Sequence, residues 1–324
     1  MLFRKMQDVL KNICKKFCIN MLSIQKLLWV IFMDFGTDLA IERKIIVDSS
    51  VPEGVEQYTR GNDISPVTEI RISDKSGEIA LGKPRGRYIT VEMPAFSADY
   101  ELLDGRLDIL ASEIRSLLPE EGTVLTVGLG NRDMTADALG PLFADSVFAT
   151  RHISRELCES MGFHDLRSVA SVSPGVLGRT GIESFEIIEG IAQKIKPSCI
   201  IAADALAALD ISRLGTTVQL SDTGISPGSG VGNRRMEISS KTLGIPVIAI
   251  GVPTVISAFT VARNILDEVA SDTDISAAGK YKEYIVASRE ADLLTKRSAR
   301  LVSLAVNLAL QPSLTVHELA VLCS

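Results

Sequence analysis

Two aspartates, Asp137 and Asp204, each follow a run of apolar residues of the kind that forms a strand buried on both faces. The first run is Val124–Gly128 and the second is Cys199–Ala203. In an open α/β sheet, ligands bind in the crevice outside the carboxyl ends of the strands, so acids 67 residues apart in sequence can meet there. Two carboxyls in contact cannot both ionise cheaply. One can then activate water while its protonated partner donates to an amide nitrogen. Taken singly, each aspartate is better explained as the cap of a following helix than as a catalyst. Only the shared position at strand ends points to acid–base chemistry.

Several nearby motifs suggest other chemistries and fail on a specific residue. Gly128-Leu129-Gly130 begins like a dinucleotide-binding turn, but Asp133 stands where the third glycine belongs, and its charge would repel a pyrophosphate. Gly224-Ile225-Ser226-Pro227-Gly228 has the spacing of a nucleophile elbow. The residue after that serine must donate its N–H to an oxyanion, and Pro227 has none. Asp222-Thr223-Gly224 matches the triplet of pepsin-like proteases, which are all-β and bring two triplets together; here one stands in an α/β pattern. The glycine-dense segment Gly228–Arg235 lacks the Lys-Ser/Thr ending of a phosphate loop and reads as a substrate-contacting or surface loop. Around the two aspartates, the expected cleft lining is Gly128, Gly130, Asn131, Asp222, Gly228, Gly230 and Asn233. Gly128, Asp204, Asp222 and Gly251 are expected together at one edge of the sheet.

The elements that must position these residues follow an alternating pattern. Half-buried strands are expected at Val67–Ile72 and Arg87–Glu92, and buried strands at Val124–Gly128, Cys199–Ala203, Thr217–Leu220 and Pro246–Gly251. Helices are expected at Asp99–Leu118, Asp137–Phe148, Glu183–Lys194 and Glu290–Leu310. The fold class is therefore α/β, a mostly parallel sheet layered with helices, with a small β-rich N-terminal part.

Composition narrows the function classes. Of 324 residues, 46% are apolar and 23% charged, which supports a sizeable core. A formal net charge of −6 argues against direct nucleic-acid binding. Five scattered cysteines and three histidines, without a Cys-x-x-Cys pair, suit a reducing compartment and no structural zinc. No metal site and no cofactor are expected. The apolar run Leu27–Met33 is far shorter than the roughly 20 residues that span a bilayer, so no membrane association is expected. Residues 1–32 are consistent with a misplaced start ahead of Met33.

Longer motifs carry a resemblance. Gly128-Leu129-Gly130-Asn131, Asp137-Ala138-Leu139-Gly140-Pro141, Ala203-Asp204-Ala205-Leu206, Ser221-Asp222-Thr223-Gly224, Pro227–Asn233 and Gly244–Val255 closely resemble the germination protease family of spore-forming bacteria. The likeness runs in order over roughly residues 34 to 310. It implies an endopeptidase that degrades small acid-soluble spore proteins in the cytoplasm of the spore core. It further implies a homotetramer, made as a zymogen that removes its own propeptide. The family's proposed catalytic aspartates fall on Asp137 and Asp204, and its fold is akin to that of hydrogenase-maturation proteases. Phe35–Ala40 resembles the propeptide junction, which places self-processing between Asp38 and Leu39 in a segment expected to be extended and exposed. Residues 1–38 are then extension and propeptide, and 39–324 a single protease domain. Residues 267 to 285 are shorter than is usual in the family, and the extension before Met33 is unusual. A metal-dependent maturation peptidase of the same fold and a nucleotide-binding module are the alternative readings.

Overall fold

The apolar runs become neighbouring strands of one sheet. The computed structural model describes residues 37–47, 51–95, 105–160, 162–163, 165–228, 235–269, 281 and 284–323. The extension at 1–32 and the expected propeptide up to Phe35 and Gly36 lie outside the described residues, as do Gly230 and Asn233. The strands are β1 (Val55–Gly61), β2 (Pro66–Ile72), β3 (Gly86–Glu92), β4 (Val124–Gly128), β5 (Val169–Val172), β6 (Cys199–Ala208), β7 (Thr217–Ser221), β8 (Val247–Ser257) and β9 (Ile285–Ala287). They pair in the order β1-β2-β3-β7-β8-β6-β4-β5, with β9 on β8. The half of the sheet made of β8, β6, β4 and β5 is parallel. The N-terminal meander β1-β2-β3 is antiparallel and joins it through β7, which runs antiparallel to both β3 and β8.

Side chains alternate across a strand, so each parallel strand feeds two cores. On one face Val124, Cys199, Ile201, Ile248 and Ile250 pack with Leu110, Leu139, Phe143 and Val302. These last four come from the helices Arg106–Arg115, Leu139–Asp145 and Ala291–Leu310. On the other face Leu125, Val127, Ile200, Ala202 and Val247 pack with Ile188 and Ala192 of the helix Ser184–Ile195. Covering on both faces is why these strands read as continuous apolar runs. Buried Asn307, on the helix Ala291–Leu310, accepts from Phe148 N at 2.9 Å and donates to Ser146 O at 3.1 Å. It thereby satisfies the chain end of the helix Leu139–Asp145, which carries the loop of the first aspartate.

Three expectations change in detail. β6 and β8 run five and six residues past their expected ends, Ala203 and Gly251. Alanine is depleted in strands, so Ala205–Ala208 looks like a strand end. Pairing with β8 carries it on to Ala208–Ile256, across a bulge at Leu206/Ala207. The segment expected as one helix from Asp137 to Phe148 is a 3₁₀ turn, Thr135–Asp137, followed by the shorter helix Leu139–Asp145. The helix expected from Asp99 is described as Arg106–Arg115, residues 96–104 lying outside the described ones.

Candidate active site

Asp204 is the sixth of ten residues in β6 and is 6% exposed. It therefore sits inside a strand, and no helix follows for it to cap. What opens the space beside it is the neighbouring strand. β4 ends at Gly128, opposite Ala203, and Leu129 N makes the last contact with Ala203 O at 2.8 Å. From Asp204 onward, β6 has β8 on one side and no β4 on the other, with Gly251 directly opposite the aspartate.

Asp137 reaches the same place from the loop that leaves β4. Asn131 N–H donates to Asp137 Oδ2 at 2.8 Å and to the Asp137 carbonyl at 3.1 Å, while Asp137 N donates to Met134 O at 2.8 Å. Buried Thr254, on β8, donates its hydroxyl to Ala136 O at 2.7 Å and ties the turn to the sheet. Gly130 has φ +112°, and a Cβ there would lie 2.1 Å from the Asp137 carbonyl. A Cβ on Gly128 would lie 2.0 Å from Gly140 O. These glycines admit the protein's own backbone, so the space a dinucleotide fingerprint reserves for pyrophosphate is already filled.

Both aspartates line one cavity of about 830 Å³. Gly130, Asn131 and Gly228 also line it; Gly128 does not. Asp222 is not in the wall either, although its neighbours Ser221 and Thr223 are. It follows the Ser221–Ala249 pair, three registers from Gly251 or about 10 Å along the sheet. There its Oδ1 accepts from Arg87 N of β3 at 2.8 Å, and the residue is exposed. Gly128, Asp204 and Gly251 are thus level with one another, and Asp222 is the member of that expected cluster that stands apart.

Burial first, then the Asp137 and Asp38 carboxylates, push Asp204 well above its ordinary value of 3.8; the Ala205 N–H at 2.9 Å and the charge of Arg235 oppose this without overcoming it. Asp137 is half-buried and is also raised by burial, against the Asn131 N–H and Arg235. Among the described residues, no three His, Cys, Asp or Glu side chains are grouped to hold a metal ion.

Asp38 lies in the wall of the same cavity. Its N–H donates to Ala207 O and its Oδ2 accepts from Ala207 N, both at 3.0 Å, on the edge of β6 that β4 leaves uncovered. Leu39 is fully buried against Leu206 and Ala208. The junction expected to be exposed is instead seated in the chain's own cleft, because Leu39 finds an apolar socket there. Lys83, Gln219, Arg235 and Thr254 are further polar residues at the site. Lys83 and Gln219 lie in no chemically suggestive motif, whereas Arg235 ends the glycine-dense loop read from sequence and Thr254 lies in the Gly244–Val255 motif.

The fold and site define an α/β protein with two aspartates, both raised by burial, in the wall of a cleft that already receives a peptide segment. The sequence profile described as germination protease matches residues 38–283. The chain is 41% identical to the germination protease of Caldanaerobacter subterraneus subsp. tengcongensis, over 90% of this chain and 98% of that one. It is 39% identical to that of Clostridium tetani, over 89% and 98%. It is 46% identical to that of Oceanobacillus iheyensis, over 72% and 67%. The chain belongs to the germination protease family, and with it to the peptidases of spore germination. Among solved structures, the [NiFe] hydrogenase maturation protease HycI from Thermococcus kodakarensis KOD1 matches 60% of this chain and 98% of its own. At 16% identity and a TM-score of 0.33, that likeness is too loose to build on.

Proposed function

We propose that Asp137 and Asp204 are the catalytic pair of an aspartic-type endopeptidase that begins the breakdown of small acid-soluble spore proteins. The observation that carries this reading is the Asp204 carboxyl, raised first by burial and then by Asp137 within the wall of a shared cavity. Asp204, the more buried, holds the proton and is the acid. Asp137 is closer to solvent and takes the Asn131 N–H, which favours its ionised form, and is assigned as the base that activates water. No cofactor enters the scheme. Residues 39–324 form the protease domain, and residues up to Asp38 are a propeptide removed at the Asp38–Leu39 bond. The seating of that junction in the cleft supports self-processing. Substrate class, homotetramer and spore-core location rest on the family.

The test is cleavage of a purified small acid-soluble spore protein by folded Asp137→Asn, Asp204→Asn and Asp222→Asn variants. Each of the first two is expected to lose roughly 10²- to 10⁴-fold in rate, the scale of lost acid–base catalysis. Asp222→Asn is expected to lose much less. Near-normal activity in Asp204→Asn, or the largest loss in Asp222→Asn, would sink the assignment.

A further inference from the structure

The peptide carbonyl between Asp38 and Leu39 is gripped by two side chains that the aspartate chemistry leaves unused. Lys83 Nζ donates to Asp38 O at 2.7 Å, and Gln219 Nε2 donates to the same oxygen at 3.0 Å. The other end of the Gln219 amide accepts from Ala40 N at 2.6 Å, so this one side chain spans the junction and is held in a fixed orientation. Gln219 is 8% exposed. It stands on β7 opposite Gly251, which stands opposite Asp204 on β6. Directly opposed residues share a face of the sheet, so Gln219 and Asp204 flank a glycine in one row across three strands.

Lys83 is delivered by the turn after the helix Lys75–Leu81, which ends at Gly82 in the left-handed conformation. Its stem is partly exposed while its ammonium is enclosed, 5.5 Å from the centre of the Tyr88 ring. Burial, and then the charge of Arg43, lower it to about 8 against the pull of Asp38. A lysine drawn out of water to meet one backbone carbonyl needs a reason, and the charge that forms on a carbonyl under attack supplies one.

We infer that Lys83 and Gln219 form the oxyanion hole of this peptidase, acting first on the Asp38–Leu39 bond and then on the scissile bond of the substrate. The inference rests on the aspartate-pair reading above. In the step it implies, water adds to the Asp38 carbonyl carbon and gives a proton to the Asp137 carboxylate. The carbonyl π pair moves onto the oxygen, where Lys83 and Gln219 stabilise it. When that oxygen re-forms the double bond, the bond from carbon to Leu39 N breaks and the nitrogen takes the Asp204 proton. One water is consumed, leaving an Asp38 carboxyl and a Leu39 amine, and the proton on Asp137 returns the pair to its single-proton state.

The experiment uses the full-length chain. Self-processing is followed by N-terminal sequencing and mass, and trans cleavage with a small acid-soluble spore protein. Lys83→Met and Gln219→Leu are each expected to lower kcat by about 10²- to 10³-fold, as removal of one oxyanion donor does. Melting and light scattering of each variant establish that it is folded. The wild-type rate is expected to fall as pH rises through about 8, where Lys83 gives up its proton. Lys83→Arg keeps a charged donor that does not titrate there, and is expected to restore much of the rate and to remove Lys83's share of the alkaline fall, leaving only that of the Asp204 acid. A lysine with only a packing role would leave the alkaline limb unmoved. Wild-type rates in Lys83→Met and Gln219→Leu, an unaltered alkaline limb in Lys83→Arg, or a mature N-terminus other than Leu39 would each overturn the inference. Inactive aspartate variants beside normal Lys83 and Gln219 variants would sink the oxyanion hole alone. Active aspartate variants would sink the reading beneath it.

Discussion

At Asp204, burial and neighbouring carboxyls act in the same direction, and the result is a group that favours folding only while it is protonated. Its folded-state pKa lies above the ordinary 3.8. Below that ordinary value it is protonated in folded and unfolded chains alike, so its full stabilising share is present. As pH rises toward and through the folded value, the unfolded chain releases the proton more readily and that share is lost. Asp204→Asn removes the titration at nearly constant size. It is therefore expected to raise the melting temperature at about pH 8, to change it little near pH 3, and to flatten the slope between. Melting both proteins across that range checks this, and an equal or lower Tm for the variant at pH 8 would contradict it. A residue that costs stability at working pH fits a role in chemistry better than one in packing.

The loop Leu129–Asp137 does for Asp137 what a strand does for Asp204. Its hydrogen bonds run largely within the loop, and Thr254 anchors it to β8. Thr254→Val keeps the shape and leaves the Ala136 carbonyl without that donor, a cost of about 1–3 kcal/mol for a buried polar group. Because small misplacements of catalytic groups can cost about 10²-fold, hydrolysis is expected to fall by more than the stability loss explains. Denaturant unfolding beside kcat for Thr254→Val decides it; normal kcat in a destabilised variant would mean the turn holds its place without this anchor. Only part of this was legible beforehand. The apolar runs located β4 and the first half of β6, because burial on both faces leaves an unbroken apolar stretch. The extension of β6 through Ala205–Ala208 was not legible, because pairing with β8 outweighs the weak strand preference of alanine.

For the molecule as a whole, the junction Asp38–Leu39 is part of the folded structure. Leu39 belongs to the core beside β6, and the Ala40–Val47 helix follows it directly. The small meander β1-β2-β3 hangs from the main sheet through β3 and β7, and it places Lys83, in the β2–β3 connection, over the cleft. Among the described residues, no helix is long and apolar enough to cross a membrane. The proposed homotetramer predicts a light-scattering mass near four times the 34.9 kDa chain at micromolar concentration. A stable monomer under those conditions would rule it out. Exposed apolar side chains such as Ile79, Ile211 and Val321 are scattered over several elements, so these surfaces do not by themselves name the contact face.

The amino-acid sequence by itself determined the α/β class, the strand segments that precede the two aspartates, and the failure of the serine and dinucleotide motifs. Each of these depends on local facts: apolar runs, a proline without an N–H, a missing glycine. Tertiary structure alone decided the rest. Pairing of β7 with β3 put Asp222 on Arg87 N, outside the cavity that its neighbours Ser221 and Thr223 line, a placement that no local pattern around Thr217–Ser221 encodes. The early end of β4 beside a continuing β6 made the cleft. Long-range packing seated Leu39 and brought Lys83 and Gln219, 136 residues apart, onto one carbonyl oxygen. Such groups carry no mark in sequence, because their chemistry comes from the burial and partners that only the completed fold supplies.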